Sequence, residues 1–288
     1  MSLRVFRAKV SLIFDLAHYI SYSKTDARIL LAENEAPPVP LADLLRERRR
    51  FSAELPTTAP STLGFPSEFS KFQEKQNQKI VWSRPPAADA TIPVILLHPI
   101  FRQFVDDCDN HQPIQSDNEL VRELMAAMSD FFLNEDARAA QLRDILTRHS
   151  IPVVPSTITS KGHCFRTDGA VAINGHLVAI VEVKEEIGSK GAEPYAQVVL
   201  YYTYAYLAKA KGSSKFNFPA LLITVFGQTL LFFHAIILTE CSQDRKLAFL
   251  ALYGQLDPIS KFLLRPYPCF VITPTRICVN LLLVISVP

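Results

Sequence analysis

The segment Thr167–Lys184, TDGAVAINGHLVAIVEVK, constrains this chain more than any other stretch. Asn174-Gly175 divides two apolar runs. Both residues tolerate the positive φ of a two-residue turn, so the segment is expected to fold as a pair of antiparallel strands. From Leu177 onward the second run is Leu, Val, Ala and Ile until Glu182 and Lys184 appear at its end. A strand this apolar is expected to be buried on both faces, where an acid and an amine need a specific role. Period-two geometry puts Glu182 and Lys184 on one face, about 7 Å apart along the strand. A regular hairpin would pair Thr167 with Glu182 and turn Asp168 to the opposite face. Gly169 is therefore the expected place for a bulge or bend that brings Asp168 round to Glu182.

The residue types at that strand end suggest a chemistry. Two convergent carboxylates, Asp168 and Glu182, with the backbone carbonyl of Val183 between Glu182 and Lys184, make an all-oxygen donor set suited to Mg²⁺, with Mn²⁺ as a substitute. Such an ion acidifies water and offsets charge on a scissile phosphate, while Lys184 would orient that water or stabilise a charged transition state. The competing reading is a structural ion pair of Glu182 with Lys184 at the end of a strand. Downstream, Pro194 is expected to open a helix closed by Gly212, with Lys209 and Lys211 in its last turn. Gln197 and Tyr201 fall at i and i+4 on one face, and Tyr204 continues it. An amide with aromatic neighbours suits a nucleic-acid strand, whereas Tyr202 and Tyr206 are assigned to the core.

The succession Asp168, Glu182-x-Lys184 and Gln197-x-x-x-Tyr201 resembles the PD-(D/E)XK nuclease superfamily, particularly its RecB-like branch. The resemblance implies an α/β, restriction-endonuclease-like core with a mixed central sheet flanked by helices. It implies that Asp168 and Glu182 hold metal and that Lys184 is the catalytic lysine. Gln197 and Tyr201 would match the helix motif of that branch and contact nucleic acid. A glutamate from an upstream helix commonly joins the site, and Glu135 is the candidate for it, followed by Glu123. Thr167 stands where the superfamily motif has proline, which weakens the match in text more than in chemistry.

A second resemblance spans roughly residues 70–240. The phrases IPVILLHPIFRQFVDDC, ELMAAMSDFFLNEDARAAQLRDIL and EVKEEIGSKGAEPYAQVVLYY are similar to a region that precedes fungal-type kinase domains, with related modules in crinkler-type proteins. It implies a fungal-type kinase domain as a partner in relatives. This sequence holds no Gly-rich phosphate loop, HRD or DFG, and Gly188-Ser189-Lys190-Gly191 lacks Walker A spacing.

Composition narrows the rest. A chain of 288 residues that is 49% hydrophobic can bury a substantial core. Its net charge of +2 does not advertise a nucleic-acid binder, so any basic surface must be local. Five cysteines without a CxxC pair indicate neither a zinc site nor a disulfide framework, which fits buried free thiols in a reducing, intracellular (cytoplasmic or nuclear) setting. The N-terminus is basic and apolar, but Asp15 and His18 interrupt it; Arg4, Arg7 and Lys9 leave a mitochondrial presequence as the weaker alternative. Leu221–Leu238 is long enough to consider as a membrane span. Gly227-Gln228-Thr229 divides it into two strand-length pieces, so a strand pair is preferred and no membrane partner is expected.

Along the chain, residues 1–70 are expected to form a helical and irregular extension with linker. Within it Leu41–Phe51 reads as a helix ending in the basic run 46–50, and residues 52–68 read as linker. Residues 71–240 form the nuclease-like domain and 241–288 a divergent tail. Trp82 and Arg84 admit base stacking, with a core tryptophan preferred. Ser116–Glu119 reads as a capping box ahead of a helix burying Leu120, Leu124, Met128 and Phe131. Asn134 is expected to cap a helix over Glu135–His149 that turns Leu142, Ile145 and Leu146 inward. The function expected is metal-dependent hydrolysis of nucleic acid, DNA before RNA. The alternative is a catalytically silent nuclease-fold module that binds nucleic acid or regulates a partner kinase domain.

Overall fold

A computed structural model describes residues 41–75, 81–83, 100–103, 106, 114–185, 191–210, 218–227, 229–237, 269–271 and 277–285. Its helices are α1 (Leu41–Glu54), α2 (Pro60–Leu63), α3 (Pro66–Lys75), α4 (Gln115–Met128), α5 (Glu135–Arg148) and α6 (Pro194–Ala210). Its strands are β1 (Val81–Ser83), β2 (Thr157–Ser160), β3 (His163–Arg166), β4 (Gly169–Ile173), β5 (His176–Lys184), β6 (Ala220–Phe226), β7 (Thr229–Ile237), β8 (Cys269–Val271) and β9 (Ile277–Ile285). This is a mixed α/β protein. The main sheet runs β1-β8-β9-β7-β6-β5-β4, and β2 and β3 form a separate pair. Only β5 and β6 run parallel, joined across α6; the other neighbours are antiparallel. A parallel pair needs such a crossover, whereas antiparallel neighbours can be joined by turns.

The hairpin forms as its sequence requires. Asn174 and Gly175 take φ of 49° and 76°, matching the twist of the flanking strands. The run through Val178, Ala179, Ile180 and Val181 is buried on both faces, between β4 on one side and β6 on the other. The irregularity lies elsewhere than expected. Ala172 pairs with Leu177 but Val171 pairs with Ala179, so Val178 is an extra residue in β5. Gly169 is regular and serves a different need: a Cβ there would stand 2.4 Å from Val153 Cγ1.

Several sequence expectations are corrected by packing. Residues 52–68 are no linker, because Leu55 and Leu63 are buried in the same cluster as Leu142, Ile145 and Val198. The hydroxyl of Tyr204 donates to Thr58 O at 2.8 Å, and Gly64 O accepts the Glu193 N–H at 2.9 Å, which ties that segment to α6. Within the expected C-terminal tail, β8 and β9 complete the sheet, with β9 paired along β7. The N-cap of α4 is Ile114, whose N–H donates to Asp117 Oδ2 at 2.8 Å; Ser116 does not cap. Phe131 is fully exposed because α4 ends at Met128 and the helical stripe ends with it. Cys164 is an exposed free thiol rather than a buried one.

Other expectations stand. Asn134 Oδ1 accepts the Ala137 N–H at 2.9 Å at the start of α5, and Leu142, Ile145 and Leu146 are buried. The apolar stretch after Phe218 is the antiparallel pair β6–β7, turning at Gly227 with φ 51°. Among the described residues no helix is long and apolar enough to cross a membrane. The expected helices before residue 36, the side chain of Trp82, Arg84 and the Gly212 cap lie outside the described residues.

Replacing Gly169 by Ala forces Val153 or the β4 backbone to move. The Gly169→Ala protein should unfold about 1–3 kcal/mol more easily, the usual cost of an extra methyl in a filled site. The midpoint of urea denaturation reads this directly.

Candidate functional site

The extra residue in β5 decides where the first acid stands. With the register Gly169 to Val181, the next position inward sets Asp168 opposite Glu182. The two are neighbours, close enough for the Asp168 charge to act on Glu182. Asp168 Oδ2 accepts the N–H of Val183 at 2.7 Å, which fixes the carboxylate against the end of β5. Glu182 is almost completely buried, with 1% of its surface exposed. Its Oε1 lies 3.1 Å from Lys184 Nζ, while its buried Oε2 has no hydrogen-bond partner among the described residues. On the neighbouring strand Thr224 stands in register with Glu182, and its buried Oγ1 is also without a partner.

Helix α5 supplies the upstream glutamate from its first residue. Glu135 Oε2 accepts from Lys184 Nζ at 2.9 Å, so Lys184 bridges two acids, one buried and one half-exposed. Glu123 belongs elsewhere: it pairs with Arg148 at 2.8 Å and lies 3.3 Å from His149 Nε2. Arg143, also on α5, donates from Nη1 to the Asp168 carbonyl at 2.5 Å. Nothing in the linear pattern of α5 marks this arginine; the fold brings it to Asp168 across a separation of 25 residues.

Gln197 and Tyr201 sit beside these acids, but not as a surface for bases. Both are buried, at 3% and 5% exposure, so the expected stacking on Tyr201 is corrected to an internal role. Gln197 Nε2 donates to the Tyr201 hydroxyl at 3.3 Å, and that hydroxyl donates to Arg166 O at 2.7 Å, two residues before Asp168. Gln197 Oε1 is buried without a partner among the described residues. Tyr204 does not extend a binding face either; its ring stacks on Phe165 at 5.2 Å. Tyr202 and Tyr206 are core residues as expected, their hydroxyls donating to Phe218 O and Leu177 O.

The electrostatics follow from burial. Loss of solvent raises the Glu182 carboxyl well above its ordinary range, the neighbouring Asp168 charge adds to this, and Lys184 offsets it only in part. Burial also raises Asp168, against the opposing effects of the Val183 N–H and Lys184. Burial by itself would lower the Lys184 ammonium, but Glu182 and Glu135 outweigh it and hold the group above the usual lysine value. Three acids thus face one bridging lysine and one arginine, a site with an excess of negative charge when all are ionised.

By donor chemistry a hard divalent cation could be held by the buried Glu182 oxygen that has no partner among the described residues and by the neighbouring Asp168 carboxylate. Glu135 is engaged by Lys184. Among the described residues no group of three or more His, Cys, Asp or Glu side chains is arranged to hold a metal ion by themselves, so the expected trio Asp168, Glu182 and Glu135 is not assembled as a metal cluster. No protein-family model, curated protein or solved structure matches the chain.

Both acids hold protons more tightly in the folded protein than in the unfolded chain. Their contribution to stability is present below the ordinary carboxylate range, about pH 4, and is lost as pH rises through the elevated folded values. The cation-free protein should therefore lose thermal stability as pH is raised above the ordinary carboxylate range. Glu182→Gln should flatten that decline; melting curves of equal slope for the two proteins would count against the charge crowding described here.

Proposed function

We propose that this protein is a metal-dependent phosphodiesterase that hydrolyses nucleic acid, with DNA favoured over RNA, on a PD-(D/E)XK-type, restriction-endonuclease-like core. The observation that carries the reading is the clustering of Asp168, Glu182 and Lys184 at the end of β5, with Glu182 presenting a buried oxygen that no group among the described residues satisfies. A buried, unpaired carboxylate oxygen is costly and persists where a ligand can satisfy it. The order of these residues along the chain, and Gln197 and Tyr201 on the following helix, support the same reading.

In this mechanism Asp168 and Glu182 would hold Mg²⁺, or Mn²⁺ in its place. The bound ion would supply Lewis acidity toward a phosphate oxygen and lower the pKa of water. Lys184 holds its three donors at the same edge, and Glu182 and Glu135 keep it charged. Its ammonium would neutralise charge that grows on the phosphoryl oxygens and orient the attacking water. Val183 N–H keeps Asp168 turned toward the site. Tyr201 and Gln197 brace the backbone that leads into Asp168 rather than touching a base.

One observation favours a second reading. Two of the three Lys184 donors are already taken by Glu135 and Glu182, an arrangement that also describes a structural ion-pair network in a silent module. Such a module would bind nucleic acid or act on a partner, including a kinase domain of the fungal type, without cutting.

Incubation of the full chain with plasmid, linear duplex, single-stranded DNA and RNA in Mg²⁺ or Mn²⁺ separates the two. The nuclease reading expects divalent-dependent cleavage of DNA that EDTA stops. It also expects Lys184→Ala and Glu182→Gln to reduce the rate at least about 100-fold while circular dichroism stays unchanged. Absence of cleavage of every substrate by the unaltered protein transfers the case to the silent module.

A further inference from the structure

Three successive residues lead the chain into β4, and each is held by a different element. The Tyr201 hydroxyl on α6 donates to Arg166 O at 2.7 Å. Thr167 donates its N–H to Ser156 O at 2.9 Å, in the loop ahead of β2. Arg143 on α5 donates from Nη1 to Asp168 O at 2.5 Å. Arg143 follows Glu135 by eight positions on the same helix, about 12 Å along its axis. Glu135 at one end of that span binds Lys184, and Arg143 at the other binds the peptide of Asp168. A single helix therefore contacts both arms of the site, the end of β5 and the start of β4.

We propose that Arg143 is a positioning residue for the divalent-cation site: its guanidinium fixes the Asp168 peptide so that the carboxylate stays opposite Glu182. This rests on the metal-site reading given above. The geometry explains why a side chain is needed. Asp168 lies just before β4, beyond the last ladder pair of the hairpin, Gly169 with Val181. Its carboxylate is anchored through one oxygen, by the Val183 N–H, which does not by itself stop the peptide from turning. A bond from Arg143 to the carbonyl supplies a second anchor on the same residue. An arginine suits the task because its planar fork can hold one acceptor firmly while its long aliphatic stem packs along the helix. Ligand displacements of about 1 Å are enough to weaken a cation site, so second-sphere donors of this kind typically govern affinity.

The experiment measures Mn²⁺ binding by the loss of the free-ion electron paramagnetic resonance signal, without reference to activity. Arg143→Met, which keeps length but removes donor and charge, should weaken Mn²⁺ binding about 10- to 100-fold relative to the unaltered protein. Arg143→Lys, which restores one donor, should recover part of that loss, and Arg148→Met, which removes an exposed ion pair on the same helix, should bind as the unaltered protein does. Should Arg143→Met fail to fold, Arg143→Leu takes its place under the same criterion at reduced temperature. If that also fails, Arg143→Lys decides alone: weakened binding supports the role, and affinity equal to the unaltered protein overturns it. Equal affinity in Arg143→Met, or an Arg143→Lys protein as weak as Arg143→Met, also overturns it. Unaltered protein that binds Mn²⁺ yet cuts no nucleic acid sinks the nuclease reading and leaves this one standing; unaltered protein that binds no Mn²⁺ sinks both.

Discussion

A carboxylate removed from water next to another carboxylate is the constraint around which this sheet edge is organised. Glu182 loses nearly all contact with solvent, and Asp168 is brought near enough for its charge to act on it. A buried charge is tolerated only when paired or bonded, because the protein interior solvates it far less well than water does. Lys184 answers one oxygen of Glu182, Val183 answers one oxygen of Asp168, and the other buried oxygen of Glu182 has no partner among the described residues. Glu135 then restrains the lysine from the far side. Remove any of these groups and the neighbours inherit an unbalanced charge in a poorly hydrated place.

That arrangement depends on a single extra residue. Had Val178 paired regularly, Thr167 would face Glu182 and Asp168 would point to the opposite side of the sheet. The bulge shifts the pairing of every residue from Val171 back toward Asp168, and so moves the acid by one side of the pleat. Bulges next to active sites commonly redirect side chains in this way. Gly169 contributes by closeness rather than by irregularity, letting Val153 lie against the strand where a side chain would collide.

The surroundings of the site come from distant parts of the chain. The segment from Leu41 to Lys75 joins the core through Leu55, Leu63 and Phe69 and is tied to α6 by the Tyr204 hydroxyl on Thr58 O, and Lys161 donates to the carbonyls of Ala53 and Leu55 near the end of α1. At the other extreme β9 extends the sheet beyond β7. Hydrophobic burial has no regard for sequence distance, so short apolar clusters set among Pro, Ser and Thr can be drawn into a core. Their composition reads as linker when taken alone.

How much was legible follows from which forces act locally. Turn chemistry at Asn174-Gly175, the cap at Asn134, the doubly buried β5 and the division of the apolar stretch at Gly227 are short-range effects, and the amino-acid order by itself determined them. It also marked Asp168, Glu182 and Lys184, because charged groups next to a wholly apolar strand stand out against their background, whereas Glu135 was marked only by the resemblance to a family with a glutamate on an upstream helix. Only the tertiary structure decided that the bulge falls at Val178, that Tyr201 and Gln197 face inward, that Phe131 faces solvent, and that Arg143 reaches Asp168. Each of those outcomes depends on which surfaces meet once the chain has folded, and contacts between residues far apart in sequence leave no periodic trace along it.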